Sequence, residues 1–121
     1  MEGHPTDLRA ALRTRLRDAM RARDRPSVQV LRIVLGAVEN AEAVPDDDRT
    51  QTERLVAADR AVDVARREVP EDEVRALVQG ELDDRLEAAE QHRARGQADE
   101  AATAEAQAAT LRAVLGDDAE T

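Results

Sequence analysis

The 121-residue sequence has no cysteine, no lysine and no Phe, Tyr or Trp. Without cysteine there are no disulfides and no thiolate metal ligands, which fits a reducing compartment. Without aromatic rings, unpaired bases have nothing to stack on, which argues against base-specific RNA recognition. No stretch approaches the ~18 uncharged apolar residues of a membrane span, and the N-terminus has no apolar signal segment. These absences predict a cytoplasmic protein with no membrane partner.

What remains is a charged chain whose apolar residues are mostly alanine, valine and leucine. Leucine, isoleucine and valine account for 24 of the 121 residues, close to the roughly 20% below which a highly charged chain tends to stay unfolded. The length suits one domain with one core. Because each buried Leu or Val contributes only about 1.5–3 kcal/mol, that core should be marginally stable.

Charge is unevenly distributed along the chain. Residues 1–25 carry seven arginines and four acids, a net charge of +3, whereas residues 26–121 carry 11 arginines and 23 acids, a net charge of −12. A phosphate backbone binds to clustered cations and releases counterions, so an acidic body disfavours nucleic-acid binding over the whole surface. Only the first predicted helix is left as a candidate RNA-binding element.

Apolar residues recur at three- and four-residue spacing through most of the sequence, which predicts an all-α protein. The helix-breaking residues between the periodic segments divide them into about five helices, expected to form an up-down bundle. The first helical hairpin joins 6–24 to 26–42, the second joins 70–95 to 97–115, and an additional helix covers 50–68.

Particular residues mark the predicted helix ends. Thr6 is the predicted N-cap of the first helix, with Asp7 in its first turn. Pro26 is tolerated only in a first turn, so it separates the first helix from the second. Gly36 costs about 1 kcal/mol relative to alanine inside a helix, which predicts that a neighbouring backbone packs closely against it. Gly96 suits the left-handed residue that ends the fourth predicted helix.

A single domain is predicted over 6–115, with disordered tails at 1–5 and 116–121. The acidic tract at 46–48 is predicted to be a loop that leads into the next helix, where negative charge favours the helix N-terminus. The tract lacks the alternating ligands and the distal glutamate of an EF-hand loop, so a calcium site there is disfavoured.

A row of arginines accompanies the apolar residues of the first helix. The four are spaced four residues apart and therefore lie along one flank of the helix. One interpretation is an ordinary solvated face, and the other is a contact surface for RNA phosphates or for an acidic protein partner. The members of this row are Arg9, Arg13, Arg17 and Arg21.

No catalytic residue is predicted. His4 and His92 have no second histidine or acidic cluster at metal-ligand spacing. Ser27, the only serine, lies in a helix-capping context, without a G-x-S-x-G motif or a positioned histidine. No glycine-rich loop precedes a helix. The sequence therefore predicts neither a metal site nor a cofactor.

Two segments contain a recognisable series of motifs. Residues 12–43 read LRTRLRDAMRARDRPSVQVLRIVLGAVENAEA, with an AMRARD turn, a Val-Leu-Arg step and an Asn-Ala-Glu ending. Residues 67–115 read REVPEDEVRALVQGELDDRLEAAEQHRARGQADEAATAEAQAATLRAVL, with an acidic helix start and an E-Q-x-x-x-x-G hairpin. In this order the segments, about two-thirds of the chain, resemble the N-terminal helical domain of YqeY-like proteins in the GatB/YqeY family. The sequence departs from the family at His92, where an aromatic residue is usual, and at Gly116, where Tyr-Leu-Pro is the usual ending.

The resemblance implies a non-catalytic helical module associated with tRNA or with tRNA-dependent amidotransferase-like translation machinery. The small tail domain that such proteins share with GatB has no counterpart in these residues. The resemblance also brings a label of carbon–nitrogen ligase with glutamine as amido-N-donor, which is disfavoured because the kinase-like core that performs amidation in GatB is missing. The alternative is a helical protein–protein interaction or oligomerisation protein, with weak homo-oligomers among its forms.

Overall fold

The computed structural model describes residues 7–43 and 68–119. Within these two stretches the chain is helical and has no β-strand, which confirms the predicted all-α class. The predicted helix at 50–68 lies almost wholly outside the described residues, as do the tail at 1–5 and the acidic loop at 46–48. The described helices are α1 (Leu8–Ala22), α2 (Arg25–Glu42), α3 (Glu71–Ala94) and α4 (Ala98–Ala119).

The start of α1 is capped by Asp7 and not by Thr6 as predicted. The Asp7 carboxylate accepts the Ala10 N–H at 3.0 Å, which pairs one of the backbone donors that a helix start leaves open. Threonine and aspartate are both good N-caps, so two adjacent capping residues do not reveal from the sequence where the helix begins.

The corner between α1 and α2 follows the predicted pattern. Arg23 ends α1 in the left-handed conformation, with a φ of 57°. Asp24 caps α2 by accepting the Ser27 N–H at 3.3 Å, and Pro26 lies in the first turn of α2. A proline there loses no helical hydrogen bond, because the N–H groups of a first turn have no partner within the helix.

The second hairpin also turns where the sequence predicts. α3 begins directly after Pro70 with three acidic residues in its first turn, at the positive end of the helix dipole. Gly96 adopts a φ of 74° between α3 and α4, which glycine does without the steric cost that a Cβ would bring. The two helices that it joins are the longest of those described.

α4 extends further than predicted. The sequence placed its end at 115, but the helix continues through Gly116 to Ala119, so part of the predicted tail at 116–121 is helical. Gly116 is not in the positive-φ region that ends a helix, in contrast to Gly96. Glycine permits that conformation but does not impose it, and no proline follows to stop the helix.

The core lies where α1 and α2 pack on the first half of α3 and the second half of α4. The residues of this core follow the apolar periodicity, and 13 of the 15 buried ones are leucine or valine. The fully buried leucines are Leu8, Leu12, Leu31 and Leu111, and the fully buried valines are Val30, Val34, Val38, Val74, Val78 and Val114.

One prediction about α2 is wrong, and its apolar residues are not all buried. Ile33 is 51% exposed, while Val30 is buried. A Cβ built on Gly36 meets nothing within 4 Å among the residues the structure covers, so the predicted close approach of a neighbouring backbone is not found. Apolar residues on a second face of a helix therefore did not imply a second packed neighbour.

The main core does not reach the turn between α3 and α4. It ends on α3 at Leu82 and on α4 at Ala108. Beyond these positions the buried apolar residues are three alanines, Ala89, Ala101 and Ala104. We refer to residues 83–106 as the distal hairpin, a pair of helices held by an alanine seam outside the main core. No helix in the described part of the chain is long and apolar enough to cross a membrane.

Candidate binding face on helix α1

Arg9, the first member of the predicted arginine row, is a structural residue. Its guanidinium forms an ion pair with Glu42 at 2.7 Å and donates to the Val69 carbonyl at 3.4 Å. The Arg9 and Glu42 side chains are only 23% and 15% exposed. Next to it, the Leu8 N–H donates to the Glu71 carboxylate at 2.6 Å. These contacts join the start of α1 to the end of α2 and to the start of α3.

The other three members of the row are exposed on α1. Arg17 donates to the Thr14 hydroxyl at 3.3 Å, and Arg21 lies 3.9 Å from an Asp18 carboxylate oxygen. The side chains of the latter pair are 79% and 65% exposed, and ion pairs this exposed contribute little to stability. At a rise of about 1.5 Å per residue, neighbouring members of the row are about 6 Å apart along the helix axis.

The corner that follows α1 enlarges the basic surface. Arg23 and Arg25 are exposed there, next to the exposed Asp24. Between 13 and 25 the exposed charged residues are five arginines and two aspartates, a net charge of +3. The periodic row did not reveal Arg23 and Arg25, because both lie where the helix is interrupted. The signal in the sequence was the helix-breaking pair Asp24 and Pro26, which places Arg23 and Arg25 at the corner that follows α1.

Met20 is an exposed apolar residue on this basic surface. Its four-residue spacing from Leu12 and Leu16 is that of a buried position, but its side chain is 49% exposed, whereas the preceding Ala19 is buried. Arg13 and Arg17 precede Met20 by seven and three residues, which puts all three on the same side of the helix. We refer to Arg13, Arg17, Met20 and Arg21 as the basic face of α1.

A small open cleft lies beside the corner, between α1 and α4. Its volume is about 260 Å³, and its polar lining includes Arg15, Asp18, Asp24 and the hydroxyls of Ser27 and Thr110. Ser27 Oγ donates to the Asp24 carboxylate at 2.8 Å and lies 2.6 Å from Thr110 Oγ1. The Ser27 side chain therefore fixes the corner against α4, in keeping with the helix-capping context that the sequence indicated.

The remaining polar groups also make structural contacts. His92 Nδ1 lies 2.7 Å from Gln97 Oε1 at the turn of the distal hairpin, where Arg93 forms an ion pair with Glu105. Within residues 7–43 and 68–119 no group of three or more His, Asp or Glu side chains is arranged to hold a metal ion. The candidate site is therefore sought on the basic face of α1.

Sequence reasoning also missed a buried polar contact. Gln107 on α4 is 6% exposed, and its amide donates to the Pro26 carbonyl at 3.2 Å and to Gln29 Oε1 at 3.3 Å. Its own carbonyl oxygen accepts from Arg85 at 3.5 Å. The periodicity of α4 places Gln107 next to the apolar Ala108 and Ala104, which was the available signal that it faces inwards.

Comparison with known proteins leaves the family open. A scan against models of protein families finds no match, and neither curated proteins nor solved structures match the chain significantly. The resemblance to the GatB/YqeY family thus rests on the motifs in residues 12–43 and 67–115 alone.

Proposed function

We propose that this chain is a non-catalytic helical module that binds the phosphate backbone of RNA, with tRNA as the expected partner, through the basic face of α1. The observation that carries the proposal is the exposure of Arg13, Arg17 and Arg21 along one side of a helix, on a chain that is otherwise acidic. The resemblance to the N-terminal domain of YqeY-like proteins supports tRNA, or tRNA-dependent amidotransferase-like machinery, as the setting.

Arginine suits this role because its planar guanidinium donates two parallel hydrogen bonds to a phosphate. Three phosphate contacts predict that log K falls with log salt concentration at a slope of about −2 for single strands and about −2.7 for a duplex. The overall charge of −9 repels RNA, so binding should be weak and confined to low salt. Without aromatic side chains, the module is expected to bind by backbone and shape and not by base sequence.

The test is tRNA binding at two salt concentrations, measured by fluorescence anisotropy of labelled tRNA. Arg13 and Arg17→Ala together are expected to weaken binding at low salt by at least about tenfold and to reduce the salt slope by about 1.5. The matched control is Arg95 and Arg112→Ala, which removes the same charge from exposed positions outside α1. Equal losses in both variants, or no binding of the unchanged chain at low salt, would refute the proposal.

The ligase activity that accompanies the family resemblance is not part of this proposal. Ser27 is 6% exposed and its hydroxyl is held by Asp24 and Thr110, so it is not placed to attack a substrate. Purified chain supplied with glutamine, ATP and mischarged tRNA is expected to show no amide transfer. The second candidate function is binding to another protein, and the observation that supports it is the exposed apolar side chain of Met20 on the basic face.

A further inference from the structure

The distal hairpin offers a surface that nothing in the described chain covers. It projects past the main core, and its two helices bury only alanines against each other. Seven acids and three arginines lie in residues 83–106, a net charge of −4. Its net negative charge is opposite to the net positive charge of the exposed residues between 13 and 25, on α1 and the corner that follows it.

Leu86 is the large apolar residue exposed on this hairpin. It is 37% exposed at the base of the hairpin, on the same side of α3 as Asp83 and Glu90, which are three residues before it and four after it. Both acids are exposed. An apolar side chain on α3 thus stands between two carboxylates.

The basic face of α1 has the complementary composition. Met20, another exposed apolar side chain, follows Arg13 and Arg17 on one side of its helix. With Met20 placed against Leu86, Arg17 lies opposite one of the two acids, because Arg17 is about one helical turn from Met20 and Asp83 and Glu90 are each about one turn from Leu86. Arg13 lies about two turns from Met20 on the same side and adds positive charge there. Opposite charges around an apolar contact are the arrangement that gives orientation and specificity to protein interfaces.

We propose that the basic face of α1 in one copy of this chain binds the distal hairpin of a second copy. The occupant is a second copy because both complementary surfaces are present on every chain. Such an interface is heterologous, since different surfaces meet, and it closes into a ring or extends as a chain of copies. The contact involves one helix face and a narrow hairpin, so it belongs to the small, weak class of interfaces.

The test is sedimentation equilibrium of the unchanged chain, without RNA, from about 10 μM to about 1 mM, the range of weak interfaces. The average mass is expected to rise above 13.3 kDa with concentration. Arg13 and Arg17→Glu together, or Asp83 and Glu90→Arg together, should each weaken self-association by at least about tenfold, because like charges then face each other.

An equimolar mixture of the two double variants is the deciding measurement. In the mixture the acidic α1 of one variant meets the basic hairpin of the other, so association is expected to recover. Reversing Asp83 and Glu90 also changes the net charge by four, from −9 to −5. General repulsion between copies is then smaller, and an effect of net charge alone would strengthen association instead of weakening it.

The proposal is overturned if the unchanged chain stays at 13.3 kDa throughout, or if the mixture associates no better than its components. Circular dichroism and urea unfolding establish that the variants fold, as expected for exposed substitutions. The outcome for RNA binding is independent of the outcome for self-association. The hairpin variant keeps its α1 arginines and should still bind tRNA, while its self-association is lost.

Discussion

Replacing Gln107 should destabilise the whole fold, because this residue joins three helices through a buried amide. On one side it holds the start of α2 by donating to Pro26 and Gln29, and on the other it accepts from Arg85 of α3. Arg85 is held in turn by an ion pair with Glu81 at 3.2 Å. No other buried polar side chain in the described chain contacts both helical hairpins through so many groups.

The size of the effect follows from the groups left behind. Gln107→Ala leaves the Pro26 carbonyl and the half-buried Arg85 short of a partner, at about 1–3 kcal/mol for the unpaired groups. It also removes the buried Cγ methylene, at about 0.8 kcal/mol. The helix propensities of glutamine and alanine differ little and offset only a small part. We expect a loss of about 2–4 kcal/mol in the free energy of unfolding, out of a total of about 5–15 kcal/mol for a domain.

Urea unfolding followed by circular dichroism measures this change, and two further variants interpret it. Gln107→Met keeps the length and volume of the side chain but removes its hydrogen bonds, so it should still lose about 1–3 kcal/mol. Gln91→Ala, at an exposed position of α3, should stay within about 0.5 kcal/mol of the unchanged chain. A Met variant as stable as the unchanged chain would show that Gln107 matters only by filling space.

Two pairs of substitutions give further predictions for the same unfolding measurement. Arg9→Ala should lower the free energy of unfolding by about 1–3 kcal/mol, because it leaves the half-buried Glu42 without its cation. The control Arg13→Ala should change it by less than about 0.5 kcal/mol. Equal effects of the two substitutions would contradict the structural role of Arg9. Gly36→Ala should stabilise the fold by about 0.5–1 kcal/mol, since a Cβ at this helical position meets open space. Gly96→Ala should destabilise the fold by about 1 kcal/mol, since Gly96 has a φ of 74°. Effects of the same sign would contradict the helical conformation of Gly36 or the left-handed conformation of Gly96.

The sequence predicts most of the helices because their signals are local. Pro26 and Asp24 define the first corner, and Gly96 defines the second, through backbone conformations that few other residues adopt. The apolar stripes then identify which face of each helix is buried. Such signals act within about one helical turn, so the sequence alone contains them.

The errors arise where a neighbouring helix decides the outcome. Gly36 was predicted to pack closely against a neighbour, but a Cβ built there meets nothing within 4 Å among the described residues, and the nearby Ile33 is 51% exposed. Met20 continues the four-residue spacing of Leu12 and Leu16, yet the adjacent Ala19 is the residue that faces the core at this level of α1. Gly116 looked like a helix end, although its backbone remains helical. Helical periodicity indicates which residues share a face of a helix, but it does not indicate how much of that face a neighbouring helix covers.

The arginine row illustrates the same limit for function. Its four members have identical spacing, and only the position of the neighbouring helix ends separates Arg9 from the others. α1 begins where α2 ends and α3 begins, so the first arginine is drawn into contacts with Glu42 and Val69. The later members lie toward the corner, where the chain reverses and leaves them in solvent. The proposed binding surface on α1 therefore starts at Arg13, and an Arg9 variant is expected to lose RNA binding only to the extent that it loses the fold.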